Sequence, residues 1–128
     1  MRALLDTHTF LWWLAGDSTL SSVARDTIGD EGSTILVSAA SAWEIATKHR
    51  LGKLPGAAPI ALDIERSVRS QGFTPMDVTM HHAQRAGALP GHHRDPFDRM
   101  LLAQALLEGC VLVSNEPVFD RYGVDRLW

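Results

Sequence analysis

The stretch from Asp95 to Gly109 does most to limit the folds open to this chain. Asp95-Pro96 should start a helix, because Asp is a favoured N-cap and Pro at the first helical position gives up only an N–H that has no partner there. The run behind it, Met100-Leu101-Leu102-Ala103-Gln104-Ala105-Leu106-Leu107, is apolar on nearly every face. Such a helix has to be enclosed by other elements rather than lie on a surface. Gly109 stops it, and Val111-Leu112-Val113 reads as the next buried strand.

The rest of the chain supplies the enclosure. Ala3-Leu4-Leu5 is a short apolar run closed by Asp6, and Thr7-His8 opens a helix carrying Phe10 to Leu14 before Gly16. A helix over about Ser21 to Ile28 leads to the β-branched strand Thr34-Ile35-Leu36-Val37. Ser38 to Arg50 reads as an Ala-rich helix, ending near Leu51-Gly52 with Pro55-Gly56 beyond. Further helices are expected at about Ile60 to Gln71 and Thr79 to Ala86, on either side of an extended Phe73-Thr74-Pro75-Met76, with a last strand near Val124 to Trp128. Strands alternating with helices imply an α/β sandwich around a largely parallel sheet. At 128 residues and 45% hydrophobic content the chain suits one domain, 1–128, with a real core.

In open parallel sheets, ligands bind beyond the carboxyl ends of the strands. The acids of this sequence gather at those ends. Asp6 follows the first strand, Glu44 lies in the helix after the second, Glu116 lies three residues after Val113, and Asp95 and Asp98 open the long apolar helix. Each also has a plain structural use. Asp6 and Asp95 can cap helices, Ser41-Ala42-Trp43-Glu44 fits a capping box, Asp98 suits the positive end of a helix, and Glu116 can simply be solvated. Their convergence on one edge is what argues for a site. Clustered carboxylates repel one another and lose hydration, and a divalent cation among them is the simplest compensation. Mg²⁺ and Mn²⁺ take hard oxygen ligands, and one or two carboxylates per ion leave positions for water and phosphate oxygens. Two such ions ~4 Å apart can activate water and stabilise a leaving oxygen, so the implied chemistry is phosphodiester hydrolysis.

Charge and cysteine content narrow the setting. Twelve Lys and Arg against fifteen Asp and Glu give a net charge of −3, so any nucleic-acid contact must come from a local patch. Lys48, Arg50, Lys53, Arg94 and Arg99, with His49, are the candidates, and a solvated helix face is the alternative. The single Cys110 lies in an apolar stretch and has no internal disulfide partner, which suits a reducing compartment. No segment approaches the ~20 apolar residues of a membrane span, and a carboxylate at position 6 interrupts any signal-peptide core, so a soluble, cytoplasmic protein is expected.

Three stretches carry a resemblance: Leu4-Leu5-Asp6-Thr7-His8; Ser38-Ala39-Ala40-Ser41-Ala42-Trp43-Glu44-Ile45 with Lys48 and Leu51-Gly52-Lys53-Leu54; and Arg94-Asp95-Pro96-Phe97-Asp98-Arg99-Met100-Leu101 with Ala103-Gln104-Ala105. In these the chain resembles the PIN-domain ribonucleases, and among them the VapC-type toxins of bacterial toxin–antitoxin pairs. The resemblance implies a PIN-like three-layer α/β/α sandwich, Mg²⁺- or Mn²⁺-dependent endoribonuclease activity on an RNA substrate, a homodimer, and inhibition by a cognate antitoxin. It implies Asp6, Glu44 and Asp98 as the core acids, which bind metal, and Asp95 as a secondary acid. The family's fourth acid sits in a Thr-x-Asp turn, where this sequence has Ser114-Asn115-Glu116, so Glu116 is a candidate ligand that departs from the pattern. Thr7 and Ser114 are candidates to orient metal-bound water.

Other features are weaker. His81-His82 and His92-His93 suggest zinc only superficially, since adjacent histidines on a helix point about 100° apart. His8 and His93 are candidates for approach to a substrate phosphate. Trp12 and Trp13 suit either core packing or a contact with a second copy or an antitoxin. Two rival functions stay open on sequence alone: an RNA-binding PIN relative with impaired catalysis, and a receiver-type phosphoacceptor domain, whose characteristic Asp and Lys positions cannot be assigned here.

Overall fold

The computed structural model describes residues 1–91 and 93–128. Its strands are β1 (Arg2–Leu5), β2 (Thr34–Ser38), β3 (Thr74–Met76), β4 (Val111–Val113) and β5 (Arg126–Leu127), and they form one sheet in the order β3-β2-β1-β4-β5. Every pairing is parallel. The expectation of a largely parallel sheet is met. A receiver-type domain is wound 2-1-3-4-5, so this strand order sets that rival aside.

The helices are α1 (Thr7–Ala15), α2 (Ser22–Gly29), α3 (Ala39–Arg50), α4 (Ile64–Ser70), α5 (Met80–Ala88) and α6 (Pro96–Glu108). The pleat decides which core each strand residue serves, because successive side chains point to opposite faces. Ala3, Leu5, Ile35, Val37 and Val113 join one apolar cluster with Phe10, Ala24, Ile28, Ile45 and Val68 from α1, α2, α3 and α4. Leu4, Leu36 and Leu112 join another with Ala86 of α5 and Leu101, Leu102 and Ala105 of α6. The result is helices, sheet, helices. Helix α6 is enclosed as its composition demands, with Leu101 to Ala105 buried.

Local signals account for most element ends. Ser21 caps α2 by accepting from the Ala24 N–H, and Asp95 caps α6 by accepting from the N–H groups of Phe97 and Asp98. Gly109 ends α6 at φ 63°, the left-handed region where a side chain would cost strain. Two expectations need correction. Ser41 and Glu44 form no capping box: α3 is capped by Ser38, the residue at which its expected range begins, with the Ser38 hydroxyl accepting from the Ala40 N–H, and Ser41 lies inside the helix. Helix α4 begins at Ile64 rather than near Ile60, because Asp63 caps it by accepting from the Arg66 N–H. The capping box that does form is Thr79 with His82, at the start of α5.

Candidate active site

Strand β1 is central, so its carboxyl end is flanked by the segments after β2 and β4. The ladder continues one residue beyond the strand, where the Asp6 N–H donates to the Val113 carbonyl at 3.0 Å. This leaves the Asp6 side chain 4% exposed, and its Oδ2 accepts from the Ser114 hydroxyl at 2.8 Å. Ser114 Oγ in turn accepts from the Glu116 N–H at 3.1 Å, which closes the turn after β4. Burial pushes the Asp6 carboxyl above the usual carboxylate range, against the Ser114 hydrogen bond and the His8 charge that lower it, and Glu44 adds repulsion.

Glu44 enters from α3 and is almost wholly buried. Its Oε2 accepts from Lys48 Nζ one turn later, while its Oε1 is buried with no hydrogen-bond partner. A desolvated carboxylate oxygen without a donor is costly unless a cation completes it. Asp98 sits in the first turn of α6, where its Oδ2 meets His93 Nε2 at 2.9 Å. Its carboxyl is pushed up to about 7, first by burial; His93 lowers it, and repulsion from Asp6, Asp95 and Glu44 raises it again. Asp6, Glu44, Asp95 and Asp98 therefore share one electrostatic field, and Glu116 is not among the acids that raise either carboxyl. Asp95 shares that field, but its Oδ1 is engaged by the two N–H groups it caps.

The other candidates are placed differently. Thr7 is fully buried, and its hydroxyl donates to Ser41 Oγ at 2.9 Å, tying α1 to α3; Ser114 donates to Asp6 itself. Both thus hold the site's framework, each spending its one O–H donor on a protein oxygen. The Glu116 side chain is exposed, and its backbone rather than its carboxylate joins the turn. Among the basic candidates, Lys48 is bonded to Glu44, and Arg99 donates to the carbonyls of Ala86, Gly87, Leu89 and His93. Arg50, Lys53 and Arg94 are exposed.

Some partners were not anticipated. The Glu44–Lys48 bond was legible as an i,i+4 pair of opposite charges, whereas the His93–Asp98 contact depends on the turn before Pro96 and leaves no such mark. His92, part of the superficial zinc pattern, lies outside the described residues. Of its neighbours in that pattern, His82 is buried, with Nδ1 accepting from the Thr79 N–H and Nε2 meeting Glu108 at 2.8 Å. Trp12 and Trp13 pack within the chain, Trp12 edge-on to Trp128 and Trp13 against Phe73, with Trp13 Nε1 donating to Gln71. The exposed aromatic is Trp43, 62% accessible and stacked edge-on against Phe97.

The donor set suits a hard divalent cation: carboxylate oxygens only, one of them buried and unpartnered. Among the described residues no three His, Cys, Asp or Glu side chains stand together as a group that could hold an ion, so the protein would supply fewer than three such ligands in this arrangement. A hard divalent cation that keeps several of its waters needs only one or two carboxylates from the protein.

A central β1 ending in a buried Asp, with acids delivered by α3 and the start of α6, is the arrangement of a PIN domain, and the PIN domain family matches residues 3–125: the chain belongs to that family. Within it, the chain is 30% identical to ribonuclease VapC22 of Mycobacterium tuberculosis over 116 residues, 88% of this chain and 85% of the relative. It is 40% identical to ribonuclease VapC16 of the same organism over 79 residues, 60% of this chain and 55% of that relative's length. In fold it superimposes on a chain of the DNA-bound VapBC complex from Salmonella typhimurium with a TM-score of 0.72 at 20% identity, covering 99% of this chain and 97% of the other. Among the described residues no helix is long and apolar enough to cross a membrane.

Proposed function

We propose that this protein is an endoribonuclease, the toxin of a toxin–antitoxin pair, that hydrolyses RNA phosphodiester bonds with Mg²⁺ or Mn²⁺ held by Asp6, Glu44 and Asp98. The observation that carries the reading is the gathering of these three acids at the carboxyl edge of β1, with Glu44 Oε1 buried and unpartnered. When bound, the metal lowers the pKa of water and offsets charge developing on the phosphate. The chain's own part is positional. Ser114 fixes Asp6, His93 fixes Asp98, and Thr7 with Ser41 fixes α3 and so Glu44. Hydrolysis breaks one P–O ester bond; water gives its hydroxyl to phosphorus and its proton ends on the departing oxygen. Arg50, Lys53 and Arg94 are the exposed cations left to meet the RNA backbone. Kinship with VapC ribonucleases and the likeness in fold to a VapBC complex support a cognate antitoxin as partner; a homodimer as the working form and the cytoplasm as its place complete the proposal.

The test uses protein freed of antitoxin, a broad RNA panel and either metal, with sequencing of the cut ends. Cleavage that needs metal and falls at least about a hundredfold in Asp98→Asn, with the fold intact, is the expected result. No cleavage of any RNA by the wild type would sink the reading. RNA binding without cleavage would favour the impaired relative instead.

A further inference from the structure

Lys48 is unusual among the basic residues of this edge, because it already has an acid. Its Nζ sits on Glu44 Oε2 with the Lys side chain 27% and the Glu side chain 3% exposed. Burial alone lowers its pKa, yet Glu44, with Asp95 and Asp98 behind it, leaves it raised. One ammonium therefore lies in the field of three carboxylates, attached to α3 by its own side chain, and engages one oxygen of the carboxylate whose other oxygen has no partner. We propose that Lys48 is a tethered counter-ion of the active site: it holds Glu44 in the metal-free protein and competes with the divalent cation for that carboxylate, weakening metal binding. The inference rests on the metal-site reading above.

The physics gives a sign that separates competition from simple positioning. If Lys48 only pre-shaped Glu44 for the metal, removing it would weaken metal binding. If it competes, removing a positive charge from beside a divalent ion tightens binding. Even at the dielectric of water, a unit charge ~5 Å from a divalent ion changes affinity by about tenfold, less after salt screening. The metal-free protein should move the other way, since a buried carboxylate that loses its cation destabilises the fold.

The experiment measures Mn²⁺ binding by electron paramagnetic resonance, alongside metal-free melting temperature, for wild type, Lys48→Met and Lys48→Arg. Lys48→Met should bind Mn²⁺ at least about threefold more tightly and melt lower without metal, while Lys48→Arg should bind within about twofold of wild type. Equal or weaker Mn²⁺ binding by Lys48→Met overturns the inference. A second measurement does not depend on that variant folding: the Lys48 side-chain nitrogen resonance of the wild type, followed through a Mg²⁺ titration. It should leave its Glu44-bonded position as Mg²⁺ saturates, and a resonance that stays put overturns the proposal. Wild type that cuts RNA while Lys48→Met binds no tighter defeats this inference alone; wild type that binds neither ion defeats the metal reading with it.

Discussion

Asp98 shows how one side chain responds to its setting. Its carboxyl is pushed up to about 7 by burial first, with His93 opposing and the neighbouring acids adding to the rise. An acid whose folded pKa lies above its unfolded value favours the fold when protonated. Its contribution is present in full below pH ~4, and is lost as the pH climbs through about 7. The metal-free protein should therefore melt at falling temperatures from pH 5 to 7.5 at constant ionic strength, and Asp98→Asn should flatten that slope. A slope unchanged in the variant would mean that Asp98 is not the group responsible. At this scale the sequence shows which acids fall at the strand ends and is poor about what each one touches. Glu44 and Lys48 stand one turn apart in plain view, but the sequence equally offers Lys48 to RNA, because spacing tells which side chains are neighbours and not which of several uses wins.

Among the elements, α5 and α6 depend on a residue expected to bind RNA. The Arg99 guanidinium gathers carbonyls from the end of α5, groups that a helix C-terminus leaves without partners, and ties them to the His93 carbonyl in the segment leading to α6. Arg99→Ala should cost about 1–3 kcal/mol by denaturant unfolding, whereas Lys53→Ala should leave stability within ~0.5 kcal/mol and reduce RNA affinity. A neutral Arg99→Ala would mean that these carbonyl contacts do not hold the two helices. Elements with strong punctuation were legible: Asp95-Pro96 and Gly109 bracket α6, and Ser21 opens α2. The start of α4 was not, since apolar Ile60 and Leu62 continue the helical pattern backwards while the Asp63 side chain fixes the true start. The Ser41–Glu44 pattern failed for a related reason. A capping box needs its Ser at the helix boundary, and Ser38 holds that place.

For the whole molecule, the site and the fold share one energy. A cation that binds the folded acids and not the unfolded chain adds stability by mass action, about 2.7 kcal/mol at a concentration a hundred times its dissociation constant. Thermal melts at pH 7.5 should rise by several degrees with Mn²⁺ or Mg²⁺, and Asp6→Asn should abolish most of the rise. An equal rise in the variant would place the ion elsewhere. The layer order was readable from alternating runs, because each strand's two faces are both apolar and both must be covered. Which strand lies in the middle was not, since pairing partners of β1 come from distant parts of the chain.

That central placement of β1 has a consequence in time. Asp6 leaves the ribosome long before the hydroxyl that orients it, which belongs to Ser114, 108 positions further on. Glu44 and Asp98 arrive in between. A nascent chain carries Asp6 through all of that intervening synthesis without the geometry to use it. The geometry around Asp6 thus belongs to the domain with β4 in place beside β1, and an N-terminal fragment that lacks β4 does not have it.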